Sequence, residues 1–469
     1  MKQGILIFKS VVVGACLTLL TACSLNIPPQ DQFSDPYAIT NVSNARSLLA
    51  SAYSSYPHQE YEFSLLGNDF VPTSLSIKDI SSLNLYNWND KEINKLAPSL
   101  WQDYYNVIAQ CDGLLERMNG VKAENENEEK EKIVIAAEAK TLKALCYLQL
   151  LRIFAPAYDV NPDAPGVILK TELGIEDKQR SSIRECVAKI KELLTDVASV
   201  EHSSDRNGWL SQEATQYLLA DLALYSNDYQ GAIDDGNKVL SKSNDIYFTS
   251  EGLNSLWSKN SYSGRIFAFN NNSSYYAGVQ YSSQEGDYFM VNPQLSFVGS
   301  DLRKASFVYS FMMNGSNREL LGKYNRCNKQ NQSTSYINTM RYAGAYFIVA
   351  EAYCRKGDTE AARRLINHYW HCIGVAEAPS TISNQELLNL ILTDKQREFV
   401  GEGVNFFDLK RTHAATLKRQ SQWGNSTTTS VASDDYRWTF PIPVSEYRFN
   451  KVERSEEHTS ELQSLREIS

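Results

Sequence analysis

Apolar side chains recur at a helical period over most of the chain. Amphipathic stretches of this kind predict helices over residues 35–56, 98–119, 132–154, 182–200 and 211–226. Pro98 suggests a start for the second helix and Gly120 an end, and Pro156 ends the third. The pattern therefore predicts a mainly α protein.

The chain also resembles itself. In each copy a helix ends near a short polar turn that carries an aspartate, and a second helix follows. Small residues at matching positions would let the paired helices approach closely, as in tetratricopeptide repeats. Two unrelated helix pairs remain the alternative, because alanine-rich helices align easily. The matching positions are Ala220 with Ala350, Asp221 with Glu351, Asp228 with Asp358 and Ala232 with Ala362.

The segment between the two copies has a different character. Residues 244–340 have little helical period and are rich in Asn, Ser, Gly and Tyr. Long loops on a rigid scaffold commonly carry function. We therefore predict a tetratricopeptide-like helix-pair scaffold that carries a large, irregular, loop-rich insert.

The N-terminus has the pattern of a targeting signal. Lys2 and Lys9 give a positively charged start, residues 5–20 supply an apolar region, and Leu20-Thr21-Ala22-Cys23 stands at its end. This sequence resembles the lipobox of bacterial lipoproteins. The resemblance implies a signal peptide over residues 1–22, lipidation of Cys23, a tether over 23–35 and an outer-membrane location. An uncleaved signal anchor, or an ordinary signal peptide with a chance cysteine, is the alternative.

The last residues look foreign to the rest of the chain. The run from Arg454 to Ser464 resembles the conceptual translation of a common sequencing-library adapter. We expect residues 454–469 to be a non-native tail, and a genuine charged tail is the alternative.

Charge and cysteine spacing narrow the function classes. A net charge of −9 argues against a nucleic-acid partner, because phosphates attract clusters of Lys and Arg. The eight cysteines include no CxxC pair. The one metal-like run is His368-x-x-His371-Cys372, which has no acidic neighbour in the sequence. We expect surface histidines there, and neither a metal nor a cofactor.

The most specific motif lies near the C-terminus. It runs from Leu392-Thr393-Asp394-Lys395-Gln396-Arg397 to Phe406-Phe407-Asp408-Leu409-Lys410-Arg411. This stretch resembles the signature of the SusD/RagB family of nutrient-binding outer-membrane lipoproteins. The positions that carry the resemblance are Arg397, Glu398, Glu402, Gly403, Phe407, Asp408 and Arg411. Three further runs agree with the family: Trp101-x-x-x-Tyr105, residues 138–156, and Pro441-Ile442-Pro443.

The motif has a physical interpretation of its own. Alternating Arg and carboxylate residues around a glycine turn can form bidentate ion pairs that fix a helix junction. A catalytic pair of carboxylates, as in glycosidases, is the sharp alternative. We expect the structural role and no enzyme activity, since the resembled family is not enzymatic.

The resemblance also implies a function. Family members capture glycan fragments, or in some cases peptides, and pass them to a SusC-like TonB-dependent outer-membrane channel. The chain would then hold a single domain over residues 36–453. A tetratricopeptide adaptor that binds only proteins is one competing hypothesis, and a lipid-anchored hydrolase is another.

The ligand site of the family lies in variable loops, so only chemistry can nominate residues. Oligosaccharides call for exposed aromatic rings flanked by polar side chains. Each nominated aromatic has a place in the core as its alternative. The candidates are Asp69, Tyr86, Trp88, Asn89, Trp257, Tyr262, Arg265, Tyr275, Tyr276, Tyr281, Asp287 and Tyr288.

Overall fold

The computed structural model describes most of the region predicted to fold. It covers residues 39–171, 173, 176–202, 208–259, 261–270, 288–297, 299–313, 316–323, 336–414, 416–420 and 428–449. The signal peptide, the tether with Cys23, the tail, and the candidates Tyr275, Tyr276, Tyr281 and Asp287 lie outside these residues. Among the described residues, no helix combines the length and the apolar character that a membrane span needs.

The described residues are mainly helical, as predicted. In chain order the helices are α1 Val42–Ser54, α2 Glu60–Leu66, α3 Ile80–Tyr86, α4 Asp90–Arg117, α5 Glu126–Phe154, α6 Ile183–Thr195, α7 Gln212–Tyr225, α8 Tyr229–Leu240, α9 Ser250–Ser258, α10 Lys304–Phe307, α11 Tyr342–Lys356, α12 Thr359–Cys372, α13 Asn384–Glu398, α14 Val404–Arg411 and α15 Glu446–Phe449.

The start predicted for the second helix is wrong. Helix α4 begins at Asp90, so Pro98 lies inside the helix and not at its start. The true start is capped by Asn89, whose side chain accepts a 3.0 Å hydrogen bond from the backbone N–H of Lys91. The added first turns bury Ile93 and Ala97. Their burial stabilises a helix that continues through the proline.

The self-similarity of the chain is a pair of matching helix–turn–helix units, α7–α8 and α11–α12. Asp228 caps α8 and Asp358 caps α12, each through a 3.0 Å hydrogen bond from a backbone N–H three residues on. The residue before each cap has a positive φ, 61° at Asn227 and 85° at Gly357. The matched alanines are all buried: Ala220, Ala232, Ala350 and Ala362.

The two units pack directly against each other although the insert separates them in sequence. Helix α8 packs against α11. At Gly236 the approach is so close that an added Cβ would overlap a methyl group of Val349, which is fully buried. The insert therefore leaves the scaffold after α8 and returns to it at α11.

The insert has more regular structure than its composition suggests. It opens with a 3₁₀ helix, Asp245–Phe248, and then α9. The strands of the described residues, of which β2 to β6 belong to the insert or its end, are β1 Phe70–Pro72, β2 Arg265–Asn270, β3 Phe289–Val291, β4 Val308–Met313, β5 Ser316–Leu321, β6 Tyr336–Arg341, β7 Leu417–Gln420 and β8 Thr428–Val431. They form antiparallel, two-stranded pairs: β1 with β3, β2 with β6, β4 with β5, and β7 with β8.

We predict that Gly236→Ala lowers the stability of the protein. Inside a helix, replacing glycine by alanine ordinarily raises the free energy of unfolding by about 0.5–1 kcal/mol. Here the methyl group would displace Val349, a β-branched residue with little rotamer freedom, at a cost of about 1–3 kcal/mol. Chemical denaturation of the purified protein measures the difference.

The matched control is Gly113→Ala, inside α4. An added Cβ at Gly113 would lie 2.9 Å from the flexible end of the Arg117 side chain and in ordinary contact, at 3.9 Å, with Leu173. This variant should be neutral or more stable than the parent. Equal stabilisation by both substitutions would contradict the close contact between α8 and α11.

Candidate functional site

The motif carboxylates lie in the interior of the protein. Glu398, the last residue of α13, is fully buried and forms ion pairs with two arginines, Arg303 in the insert and Arg341 at the end of β6. One oxygen lies 2.9 Å from the Arg303 guanidinium, and the other pairs with Arg341. The Tyr369 hydroxyl donates a further 2.6 Å hydrogen bond to Glu398. Helix α13 is thus joined to the insert by an ion pair.

Arg303 is surrounded by carboxylates. Besides Glu398 it pairs with Asp301 at 2.8 Å and with Asp394 at 2.7 Å, and it is fully buried. The Trp370 indole donates a 2.7 Å hydrogen bond to Asp394, so α12 also contacts the group.

Glu402 completes this cluster on the other side of Arg341. It lies 2.6 Å from the Lys323 ammonium and 2.7 Å from Arg341, and all three side chains are buried. Lys323 also donates a 2.7 Å hydrogen bond to the backbone oxygen of Glu398. We call this group the buried ion cluster: Asp301, Arg303, Lys323, Arg341, Asp394, Glu398 and Glu402.

A second set of ion pairs lies at α14. Arg411 forms 2.6 Å contacts with both Asp408 and Glu351, and Lys395 lies 2.9 Å from Asp408. Glu351 is fully buried on α11, at the position that matches Asp221 in the other repeat. The motif therefore fixes α13 and α14 to the repeat scaffold, as the structural interpretation predicted.

The glycine of the motif is required by its surroundings. Gly403 has a φ of 72°, and an added Cβ would lie 2.9 Å from the Cα of Glu60. Its backbone N–H donates a 2.9 Å hydrogen bond to the Ser64 hydroxyl. Phe406 is fully buried, whereas Phe407 is half-buried against the same core, and Arg397 is half-exposed and pairs with Asp394 at 2.8 Å.

Electrostatics holds the motif carboxylates in the charged form. Burial by itself raises the pKa of Glu398, but Arg341 and Arg303 more than offset this effect and lower the pKa to about 2. Burial also raises the pKa of Asp408, and Lys395 and its neighbours reverse the effect and lower it to about 2. A general acid needs a pKa near the working pH. These values and the burial argue against a catalytic pair.

Several predicted ligand residues are in the core, and the prediction of an exposed platform is wrong for them. Trp88 is 0% exposed and packs edge-on against Trp438 with ring centroids 4.5 Å apart. Trp257 is also 0% exposed and packs against Phe307 at 5.2 Å. Neither ring offers a face to a ligand, because these apolar surfaces are already covered by other aromatics.

Asp69, Tyr86 and Arg265 are buried as well. Burial raises the pKa of Asp69 to about 7, although the backbone N–H of Gly401 donates a 3.0 Å hydrogen bond to this carboxyl. Arg265 donates hydrogen bonds of 2.8 and 3.0 Å to the backbone oxygens of Leu256 and Lys259. These contacts tie α9 to β2, and they explain why polar candidates are inside.

The remaining described candidates are at least partly accessible. Tyr262 and Tyr288 are half-buried, and Asn89 is exposed at the cap of α4. Tyr262 stands next to Tyr247, a half-buried residue that the sequence did not nominate, with ring centroids 6.0 Å apart. The sequence gives little reason to single out Tyr247, because tyrosines with polar neighbours are common in this insert.

Tyr247 and Tyr262 belong to a small surface at the start of the insert. Tyr247 is supported from below by Tyr342, whose ring is stacked on it at 5.3 Å. The Lys259 ammonium lies 5.9 Å from the Tyr262 ring, and Ile246 is 62% exposed beside them. We call these four residues the tyrosine surface: Ile246, Tyr247, Lys259 and Tyr262.

A cavity lies between the N-terminal helices and the motif. Its volume is about 120 Å³, and its lining includes Tyr56, Gln149, Tyr225 and Asp408. Ligand pockets commonly measure about 300–1,000 Å³, whereas this cavity suits a few water molecules. Buried polar atoms of Gln149 and Tyr225 have no hydrogen-bond partner in the described part of the chain. The cavity is a better site for water than for an oligosaccharide.

Comparisons with known proteins agree with the fold. A family model described as the SusD family matches residues 176–458, and a second, described as starch-binding associating with outer membrane, matches residues 30–206. A SusD-like protein from Formosa agariphila is 24% identical over 184 residues, which are 38% of this chain and 33% of that protein. The alignment thus spans about a third of that curated relative.

Solved structures cover the chain more fully. A SusD-like carbohydrate binding protein from Bacteroides vulgatus superposes with a TM-score of 0.75 at 18% identity, covering 90% of this chain and 100% of that one. A SusD superfamily protein from Bacteroides thetaiotaomicron superposes with a TM-score of 0.72 at 19% identity, covering 88% and 99%. At these identities the likeness establishes a common fold.

We predict that Glu398→Gln destabilises the protein strongly. The substitution leaves Arg303 and Arg341 buried with too little negative charge, and breaking a buried pair in this way costs about 3–5 kcal/mol. The control is Glu360→Gln, because Glu360 pairs with Arg363 on the surface and such pairs contribute about 0–1 kcal/mol. Urea denaturation at pH 7 compares the two variants.

The effect should also depend on pH. The folded pKa of Glu398, about 2, lies below that of an unfolded glutamate. The ion pairs therefore contribute fully at neutral pH, and their contribution is lost as the pH falls from about 5 toward 2. The difference between parent and Glu398→Gln should shrink over this range. A loss at pH 7 as small as that of Glu360→Gln would rule out the cluster as a main source of stability.

Proposed function

Because the chain belongs to the SusD family, we propose that it is an outer-membrane lipoprotein that binds an oligomeric nutrient and passes it to a SusC-like TonB-dependent channel. The proposed ligand is a glycan. Support comes from the match of residues 30–206 to a model described as starch-binding associating with outer membrane. The carbohydrate binding named for the Bacteroides vulgatus relative points the same way. The lipobox-like run ending at Cys23 would supply the anchor.

The observation that carries the glycan proposal is the tyrosine surface. Sugar rings have apolar C–H faces that pack on aromatic rings, and hydroxyl groups that need polar neighbours. Tyr247 and Tyr262 present two adjacent, partly accessible rings, and the Lys259 ammonium lies beside them. Tyr342 holds the Tyr247 ring in place from below. Rings that are fixed before binding lose little side-chain entropy when the ligand arrives.

We propose that the ligand is bound without conversion. The motif carboxylates Glu398 and Glu402 are buried and each is paired with cations, so they cannot reach a glycosidic bond. Asp408 is likewise bound to Arg411 and Lys395. A peptide ligand is the alternative within the family, and a protein-binding adaptor built on the helix pairs is the alternative outside it.

We predict that Tyr262→Ala weakens glycan binding by up to about tenfold, since an aromatic contact contributes on the order of 0.5–1.5 kcal/mol and 1.4 kcal/mol is one decade. Tyr247→Ala should have a similar effect. Isothermal titration calorimetry of the purified protein with a panel of soluble oligosaccharides, starting with starch fragments, measures the affinities.

The matched control is Tyr229→Ala. Tyr229 is also half-buried, but it lies at the opposite end of α8 from the insert, about 16 Å away at 1.5 Å per residue. Its removal should leave binding intact. If neither Tyr247→Ala nor Tyr262→Ala changes the affinity, the site is elsewhere. Binding of peptides or proteins but of no oligosaccharide would favour the alternatives, and turnover of a bound glycan would contradict a purely binding role.

We predict that Cys23→Ala releases the protein from the membrane fraction. The variant removes the thiol that the acyl chains would occupy, and several chains at one residue anchor a protein firmly. Cell fractionation and immunoblotting measure the distribution, with Ser24→Ala as a control that should stay in the membrane. Membrane retention of Cys23→Ala would contradict lipid anchoring at this residue.

A further inference from the structure

Three side chains with metal-ligand chemistry meet beside the tyrosine surface. Asp245 begins the first 3₁₀ helix of the insert, and His368 and Cys372 lie on α12. One ligand atom from each lies within 4.8 Å of the other two. The closest pair is His368 Nε2 and Asp245 Oδ1, at 3.0 Å. The cluster joins two elements that are distant in sequence.

The cluster differs from the metal-like run His368-x-x-His371-Cys372 in the sequence, where we expected surface histidines. His371 turns away and lies 3.2 Å from Glu377, so the His-x-x-His spacing is not used. His368 and Cys372 are four residues apart and therefore share a face of the helix. The acidic ligand that was missing from the sequence around them is supplied by Asp245, from a segment more than 100 residues earlier in the chain.

We propose that Asp245, His368 and Cys372 form a zinc site. Thiolate, imidazole and carboxylate are the three ligand types that zinc takes in proteins. The sulfur ligand disfavours calcium and magnesium, which bind through oxygen. The Asp245 side chain is 66% exposed and the His368 side chain 49%, so a water molecule can reach the fourth position.

The geometry needs only a small adjustment. Tetrahedral zinc with bonds of about 2.0–2.3 Å places its ligand atoms about 3.5 Å apart. The present separations, up to 4.8 Å, can close by side-chain rotation. The two exposed side chains have room for that rotation.

The backbone positions are well fixed. Phe248 is buried and anchors the 3₁₀ helix against Tyr346 and Tyr369, with ring centroids 5.6 and 5.1 Å apart. The His368 ring is stacked on Tyr346 at 6.1 Å. Ligands on rigid elements lose less entropy on binding a metal. Zinc would then fix the segment that carries Tyr247 to the repeat scaffold.

The test is metal binding by the whole purified protein, with Zn²⁺ measured by calorimetry and Co²⁺ used as a spectroscopic probe. One equivalent of each metal should bind, and Co²⁺ should show a thiolate-to-cobalt charge-transfer band. Removing even a residue that orients a zinc ligand weakens binding about 10–100-fold, so Asp245→Asn, His368→Ala and Cys372→Ser should each weaken it at least tenfold. Cys372→Ser should also abolish the band.

The matched control is His371→Ala, which removes an exposed histidine from the same helix and should leave the affinity and the band unchanged. Cys111, Cys146, Cys186 and Cys354 are buried, so they should not contribute to the band. The proposal is overturned if no band forms, if the band survives in Cys372→Ser, or if His371→Ala weakens binding as much as His368→Ala does. None of these outcomes depends on whether the protein binds a glycan.

Discussion

The buried pairing of Glu398 with Arg303 and Arg341 is the interaction on which the rest of the structure depends. One carboxylate at the end of α13 pairs with Arg303, in the middle of the insert, and with Arg341, where the insert rejoins the scaffold. In a low-dielectric interior each charge is costly unless all the others are present. Helix, turn and insert are therefore mutually dependent. Because the motif carboxylates are buried and paired with these cations, they are not available for chemistry at the surface.

The fold combines a helical scaffold with the insert, and the two have different roles. The helix pairs α7–α8 and α11–α12 pack directly on each other, although the insert separates them in sequence. The partly accessible residues Tyr247 and Tyr262 lie in the insert, close to its start after α8. This arrangement separates the residues that stabilise the protein from those proposed to recognise a ligand.

Local patterns predicted the scaffold well, whereas aromatic residues between the predicted helices were harder to place. Asp228 and Asp358 were found by self-similarity, because capping depends on a few adjacent positions. Trp88 and Trp257 were misplaced at the surface, since composition does not tell a ligand platform from a core of aromatics. No local signal connects Asp245 with His368, because a contact between distant segments exists only in the folded chain.

The direct packing of α8 on α11 has a consequence for how the insert can vary. Once the two helices are in contact, the ends of the insert are already near each other, and the closure entropy grows only with the logarithm of its length. Doubling that length would add only about 0.6 kcal/mol. The scaffold can thus accept inserts of different length and composition, provided that cations still stand at the positions of Arg303, Lys323 and Arg341. Such a segment could be exchanged as a cassette between chains of this architecture.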